Sequence, residues 1–247
     1  MSATDHATDH ATIHGSPGEG ARTAGIARAV FPLLVALFCI GYVAGAASGV
    51  ILEGWTVGVI LLLAGVLLLL GAASSLRRIA AFFKGAAGEE IVARELAHLP
   101  AGYHVFHSLD MGGGVLMWRH GDIDHVVVGP TGVYVIETKN WRGKVALVSG
   151  RLLVDGLAPR RAPLEQVRQA VAALQARLGR GGVYDVAVVP VVCFTGDSLE
   201  AASLTEGETI ICGAGTLLDV LTRAKHQPPA RVVDVAGVVR ALADGQA

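Results

Sequence analysis

The sequence predicts an α/β domain preceded by two membrane-spanning helices, and three observations carry that prediction. Two long apolar runs without a single charge occupy the first third of the chain. From Ala86 onward, β-branched runs with turn signals between them alternate with helical periodicities. Across the 247 residues, 52% are hydrophobic and only 17% charged, against about 25% charged in ordinary soluble domains. That balance argues against an ordinary cytosolic enzyme and against a disordered regulator. The formal net charge of −1 gives no bulk sign of a nucleic-acid partner. Cys39, Cys193 and Cys212 are too few and too scattered for a disulfide framework or a zinc cluster.

Residues 1–25 open with ATDHATDHATIH, which spaces His6, His10 and His14 by four. On a helix those imidazoles would share a face and could hold a metal weakly. The polar, low-complexity composition and the Gly15–Gly20 stretch favour a disordered tail instead. Residues 26–84 form the membrane section, with spans expected at 30–52 and 55–73. Each has about the 20 apolar residues needed to cross about 30 Å of hydrocarbon. Only Glu53 and Gly54 separate them, so a tight helical hairpin is expected. Pro32 suits a first helical turn, and Trp55 falls at the interfacial level. Arg22 and Arg28 precede the first span, while Arg77, Arg78 and Lys84 follow the second. The positive-inside rule then puts both termini, and the domain that follows, on the cytoplasmic side of the cell (inner) membrane. A cleaved signal peptide is disfavoured, because the first run is too long and starts too far in.

Ser74–Gly85 reads as a basic amphipathic extension along the inner leaflet, and residues 85–247 as one soluble domain of ordinary size. Ile91, Val92, Leu96 and Leu99 recur at helical spacing, and Pro100–Gly102 stops that helix. Tyr103–Leu109 alternates as a strand, followed by a loop at Met111–Gly114. Ile123–Val128 and Val133–Thr138 flank Gly129-Pro130-Thr131-Gly132, a hairpin signature. Lys144–Ser149 and Leu152–Val154 suggest a second, shorter hairpin. Pro163 opens a helix that carries Leu164, Val167, Ala170, Val171, Leu174 and Leu178 on one face and ends at Gly179. Val186–Phe194 is continuously apolar, as a strand buried on both faces should be. Thr209–Cys212 is a short strand, and helices at Thr216–Ala224 and Val232–Ala243 close the chain around Pro228-Pro229.

The chemistry concentrates in GDIDHVVVGPTGVYVIETKNWRG, Gly121–Gly143. Closing the hairpin over Gly129–Gly132 pairs residues whose numbers sum to 261, so Asp124 faces Glu137. Directly opposed side chains sit about 4.5–5.5 Å apart at Cβ, and like charges there destabilise a sheet. Lys139 points to the same face, two residues beyond Glu137. A divalent cation between the carboxylates relieves their repulsion, because Mg²⁺ is held by one or two carboxylates plus waters and phosphate oxygens. A lysine alongside can neutralise charge that develops on a phosphate. The competing reading is an ordinary Glu137–Lys139 ion pair with Asp124 capping a loop. Ionisable residues set among strongly apolar strands weigh against it.

These residues make the segment resemble the nuclease-related domain (NERD) family of the PD-(D/E)xK restriction-endonuclease-like superfamily. Gly88-Glu89 in the first helix, the Gly121–Gly143 segment, and Pro163-Leu164-Glu165-Gln166 follow the family pattern in order. The resemblance implies an α/β fold with a central mixed sheet flanked by helices. It implies that Asp124 and Glu137 are metal ligands, that Lys139 is the catalytic lysine, and that Glu89 completes or supports the metal site. Gln166 would stand near substrate. The implied cofactor is Mg²⁺ or Mn²⁺, and the implied partner a nucleic acid, DNA first. Glu90 and Asp122 are neighbouring acids that could substitute. The departure is Ala170, where related nucleases often carry an aromatic residue that helps position substrate.

Charge distribution agrees with that expectation. Ala101–Gly182 holds ten basic and six acidic residues, whereas Val183–Ala247 holds four and eight. A basic half can track a phosphate backbone. Trp141 can stack on a base or pack at the strand end. His104, His107, His120 and His125 lack metal-ligand spacing with cysteines and read as structural, with His125 facing away from the carboxylates. Three functions therefore follow: a membrane-tethered nuclease, a non-catalytic nucleic-acid- or protein-binding module, or a scaffold for a membrane partner.

Overall fold

Val, Ile and Tyr in alternating register put one half of each central strand on either side of a sheet, and helices cover both sides. The computed structural model describes residues 9–18, 54–111, 122–160, 162–196, 199, 201–223 and 232–245, with scattered positions between 26 and 45. A seven-stranded mixed sheet is built from β1 (Thr12–His14), β2 (His104–Leu109), β3 (Ile123–Gly129), β4 (Gly132–Lys139), β7 (Val188–Phe194), β8 (Ser203–Glu206) and β9 (Thr209–Gly213). Their spatial order is β1-β2-β3-β4-β7-β9-β8. Strands β4, β7 and β9 run parallel, and β2, β3 and β4 alternate in direction. The second hairpin, β5 (Val145–Val148) with β6 (Arg151–Val154), forms a separate two-stranded sheet.

Four helices are described in full: α1 (Gly54–Leu96), α2 (Pro163–Arg180), α3 (Ala214–Arg223) and α4 (Val232–Ala243). One face of the sheet presents Val126, Val128, Val133, Val135, Val192 and Phe194 to Leu164, Val167 and Leu174 of α2 and to Val235 and Val239 of α4. The other presents Val105, Val127, Tyr134, Ile136 and Val191 to Val92 and Leu96 of α1 and to Leu217 and Leu221 of α3. The α/β fold with a helix-flanked mixed sheet is therefore as expected. Burying each large aliphatic side chain contributes about 1.5–3 kcal/mol, and these two layers fix the sheet from both sides.

The hairpin register also matches. His125 pairs with Ile136 and Val128 with Val133. Gly129 leaves room for Tyr103, because a Cβ there would lie 2.1 Å from the ring. The turn is latched from beyond the strands: the Thr131 hydroxyl donates to the Leu221 carbonyl at 2.6 Å, and the Tyr134 hydroxyl reaches the same oxygen at 3.3 Å.

Several expectations need correction. The tail is not unstructured throughout: Thr12–His14 adds parallel to His104–Phe106 as an edge strand. His10 and His14 therefore do not share a helix face, and His6 lies outside the described residues. His14 instead stacks on Phe106 at 4.4 Å. The basic extension Ser74–Gly85 is helical and continuous with its neighbours, since α1 runs unbroken from Gly54 to Leu96. Strand β8 was absent from the sequence reading. The loop at Met111–Gly114 lies, apart from Met111, outside the described residues.

The chain divides into two compact units, 21–84 on one hand and 1–20 with 85–247 on the other. Within the latter unit, residues 9–18 pair and hydrogen-bond along the α/β body. Among the described residues no helix is long and apolar enough to cross a membrane. The hairpin expected at 30–52 and 55–73 has no support there, and part of the first run, including 46–52, lies outside the described residues.

Candidate metal centre

The candidate site lies where β3 begins and the parallel strand β4 ends, a carboxyl-end location typical of ligand sites in α/β sheets. The β3–β4 ladder runs to His125 and Ile136. Beyond it Asp124 turns its carboxylate to the opposite strand, and Oδ2 accepts the Thr138 N–H at 2.7 Å. A backbone donor thus fixes Asp124. Glu137 and Lys139, two residues apart on β4, form an ion pair between Oε1 and Nζ. Their side chains are 13% and 15% exposed, sheltered but still reachable.

Glu89 arrives from α1 on the same end of the sheet. Gly88 permits that approach: a Cβ there would meet the Asn140 Cβ at 2.8 Å and Thr138 Cγ2 at 3.5 Å. Glu89 is itself buried, 8% exposed. Burial pushes its carboxyl up to about 7; the Gly18 N–H opposes that shift, Glu137 and Asp122 add to it, and Lys139 opposes it. Asp124 is raised well above the ordinary carboxylate range, first by burial and then by Glu137 and Glu89, with Lys139 and the Thr138 N–H pulling the other way. Asp124, Glu137, Glu89 and Lys139 are therefore within electrostatic reach of one another.

Gln166 is less integrated. It sits in the first turn of α2, its N–H bonded to the Ala162 carbonyl at 3.1 Å. Its Oε1 is buried and without a hydrogen-bond partner. Among the described residues, no hydrogen bond ties it to the acidic group. Trp141 packs against Phe194, ring centroids 5.5 Å apart. His107 and His125 lie on the opposite face, joined through their Nδ1 atoms at 2.7 Å. Burial lowers His107 to about 4 and holds His125 well below its ordinary value.

Among the described residues no group of three His, Cys, Asp or Glu is assembled to hold a metal ion. The donor chemistry nevertheless fits a hard cation of low protein-ligand number: Asp124 and Glu89, each raised first by burial and then by neighbouring carboxylates, with Glu137 beside them. Sequence reasoning missed Thr138, whose backbone N–H orients Asp124, and Gly18, which bonds Glu89 from residues assigned to the tail. No local pattern marks either one, since both act through the backbone.

Residues 84–195 match the family model described as the nuclease-related domain, NERD. That span contains Glu89, Asp124, Glu137, Lys139 and Gln166. The chain is 43% identical over 65 residues to an uncharacterized protein of Bacillus anthracis, a match covering 25% of this chain and 28% of that protein. No solved structure matches.

Proposed function

We propose that this is a membrane-anchored, Mg²⁺- or Mn²⁺-dependent nuclease acting on DNA at the cytoplasmic face of the cell membrane. The observation that carries the reading is that Asp124, Glu137, Glu89 and Lys139 lie within electrostatic reach of one another inside a nuclease-related match. Asp124 and Glu137 would hold the cation, with Glu89 in support. When bound, such an ion polarises a phosphate oxygen and lowers the pKa of a coordinated water. Asp124 is held in place by the Thr138 N–H, so its carboxylate needs little reorganisation. Lys139, steadied by Glu137, sets an ammonium where negative charge develops on phosphate. Arg142, Lys144, Arg151 and Arg168 are exposed and basic, suited to backbone phosphates.

The anchor reading rests on the two uncharged runs and on exposed apolar surface in their described parts. Phe31, Phe38 and Tyr42 are 68%, 74% and 71% exposed. On α1, Leu62, Leu67 and Leu69 are 68%, 69% and 70% exposed. Apolar surface on that scale marks a membrane or protein contact, and helices apolar all round belong in lipid. A non-catalytic binding module is the second reading, favoured by Glu137 being engaged by Lys139.

The test uses the full chain in detergent with circular and linear DNA, in Mg²⁺ or EDTA, beside Asp124→Ala and Lys139→Ala. Metal-dependent cleavage lost in both variants is expected. Retained DNA binding without cleavage would replace the nuclease with the binding module.

A further inference from the structure

Residues 9–18 lie outside the nuclease-related match, yet they are fastened along the α/β body at successive points. His10 bridges to Pro100. The Ala11 N–H donates to the Leu99 carbonyl and the Thr12 N–H to the Tyr103 carbonyl, both at 2.9 Å. Thr12–His14 then pairs with β2, and the His14 ring stacks on Phe106. The Ser108 hydroxyl donates to the Ser16 carbonyl at 3.0 Å.

Both bends need glycine. Gly15 has φ +75°, and a Cβ there would fall 2.8 Å from the His107 carbonyl oxygen. Gly18 has φ +73° and is buried, where a Cβ would come 2.9 Å from that of Ala86. Ala86 stands one helical turn before Glu89 on α1, so both face the same neighbour. The segment ends with the Gly18 N–H hydrogen-bonded to the Glu89 carboxylate.

We propose that His10–Gly18 is a strap that completes the metal-binding end of the site, with Gly18 a positioning residue whose N–H aims the Glu89 carboxylate. The proposal rests on the metal-dependent reading above. A carboxylate on a helix has freely rotating terminal torsions; a donor fixed by the strap removes that freedom and leaves the second oxygen for a cation. Through β1 the strap also covers the edge of β2.

The experiment uses the full chain in detergent and reads Mn²⁺ binding from the free-ion electron paramagnetic resonance signal. Gly18→Val, Glu89→Gln and the double variant are compared with the parent. Gly18→Val is expected to weaken Mn²⁺ binding about tenfold, and to add nothing in the Glu89→Gln background, as for residues acting through one contact. An equal loss in that background, or no loss in the parent, overturns the proposal.

A second measurement needs no metal. Amide exchange at Gly18 should accelerate at least about tenfold in Glu89→Ala, while Ala11 and Thr12 keep their protection. Unchanged exchange at Gly18 overturns the strap's contact with Glu89. Failure of the parent to bind Mn²⁺ would instead remove the metal-dependent reading and leave this exchange comparison to decide the strap.

Discussion

Glu89 ties stability and function together at the level of a single side chain. Its carboxyl titrates near about 7 in the folded domain, against an ordinary value of 4.5. Between those values the folded state holds the extra proton, so stability declines as pH rises through the window. Above pH 7 the cost is on the order of 3 kcal/mol in the absence of metal. Glu89→Gln should therefore melt higher than the parent at pH 8 in EDTA and coincide with it near pH 5; identical melting at both pH values would contradict the raised carboxyl. His107 acts with the opposite sign. Its value is lowered from 6.5 to about 4, so the stability it contributes is present above 6.5 and lost as pH falls toward 4. Cation affinity should also rise through neutral pH as Glu89 ionises, which a calorimetric Mn²⁺ titration from pH 6 to 8 would detect. For catalysis the decisive side chain is Lys139: with its ammonium removed in Lys139→Ala, turnover should drop about a hundred- to a thousand-fold. A variant within threefold of the parent would exclude Lys139 from the chemistry.

The site is positioned by the meeting of α1 with the end of β4. Gly88 sets their separation, and Gly88→Ala would press a methyl onto Asn140. Overpacking of that kind costs about 1–3 kcal/mol, and it should displace Glu89 and weaken metal binding while sparing DNA binding. Parallel melting and DNA-binding measurements separate the two effects. Much of this element-level architecture was legible in the sequence. Turn residues at 129–132 fixed the hairpin register, and β-branched alternation separated the Val126–Val135 face from the Val127–Tyr134 face. Strand β8 was not legible, because SLTE has no apolar alternation to mark it and takes its place only by pairing with β9 at the sheet edge. Strand β1 was hidden for a related reason: three residues of a polar repeat become a strand only when β2 offers an open edge. Asp124 and Glu137 were read as opposed from register alone. The Thr138 N–H that claims Asp124 depends on how the strands part beyond His125, which periodicity does not encode.

At the scale of the whole chain, the two units interrupt each other in sequence: residues 1–20 and 85–247 form one, and 21–84 is inserted between them. The α/β unit can be cut free without losing its strap, because Gly18 and Ala86 are already in contact. Replacing 21–84 with a short Gly/Ser linker therefore spans only a small gap. The excised protein should stay in the supernatant without detergent and bind Mn²⁺ like the full chain, whereas the full chain should sediment with membranes and resist extraction by high salt. A fragment beginning at Gly85 should also be soluble, but without Gly18 it should bind Mn²⁺ about tenfold more weakly, the effect expected of Gly18→Val. Sedimentation of the excised protein with membranes would locate the anchor outside 21–84. Equal Mn²⁺ affinity of the two soluble proteins would show that Glu89 needs no help from the strap. The comparison thus separates where the chain is held from how its site is completed.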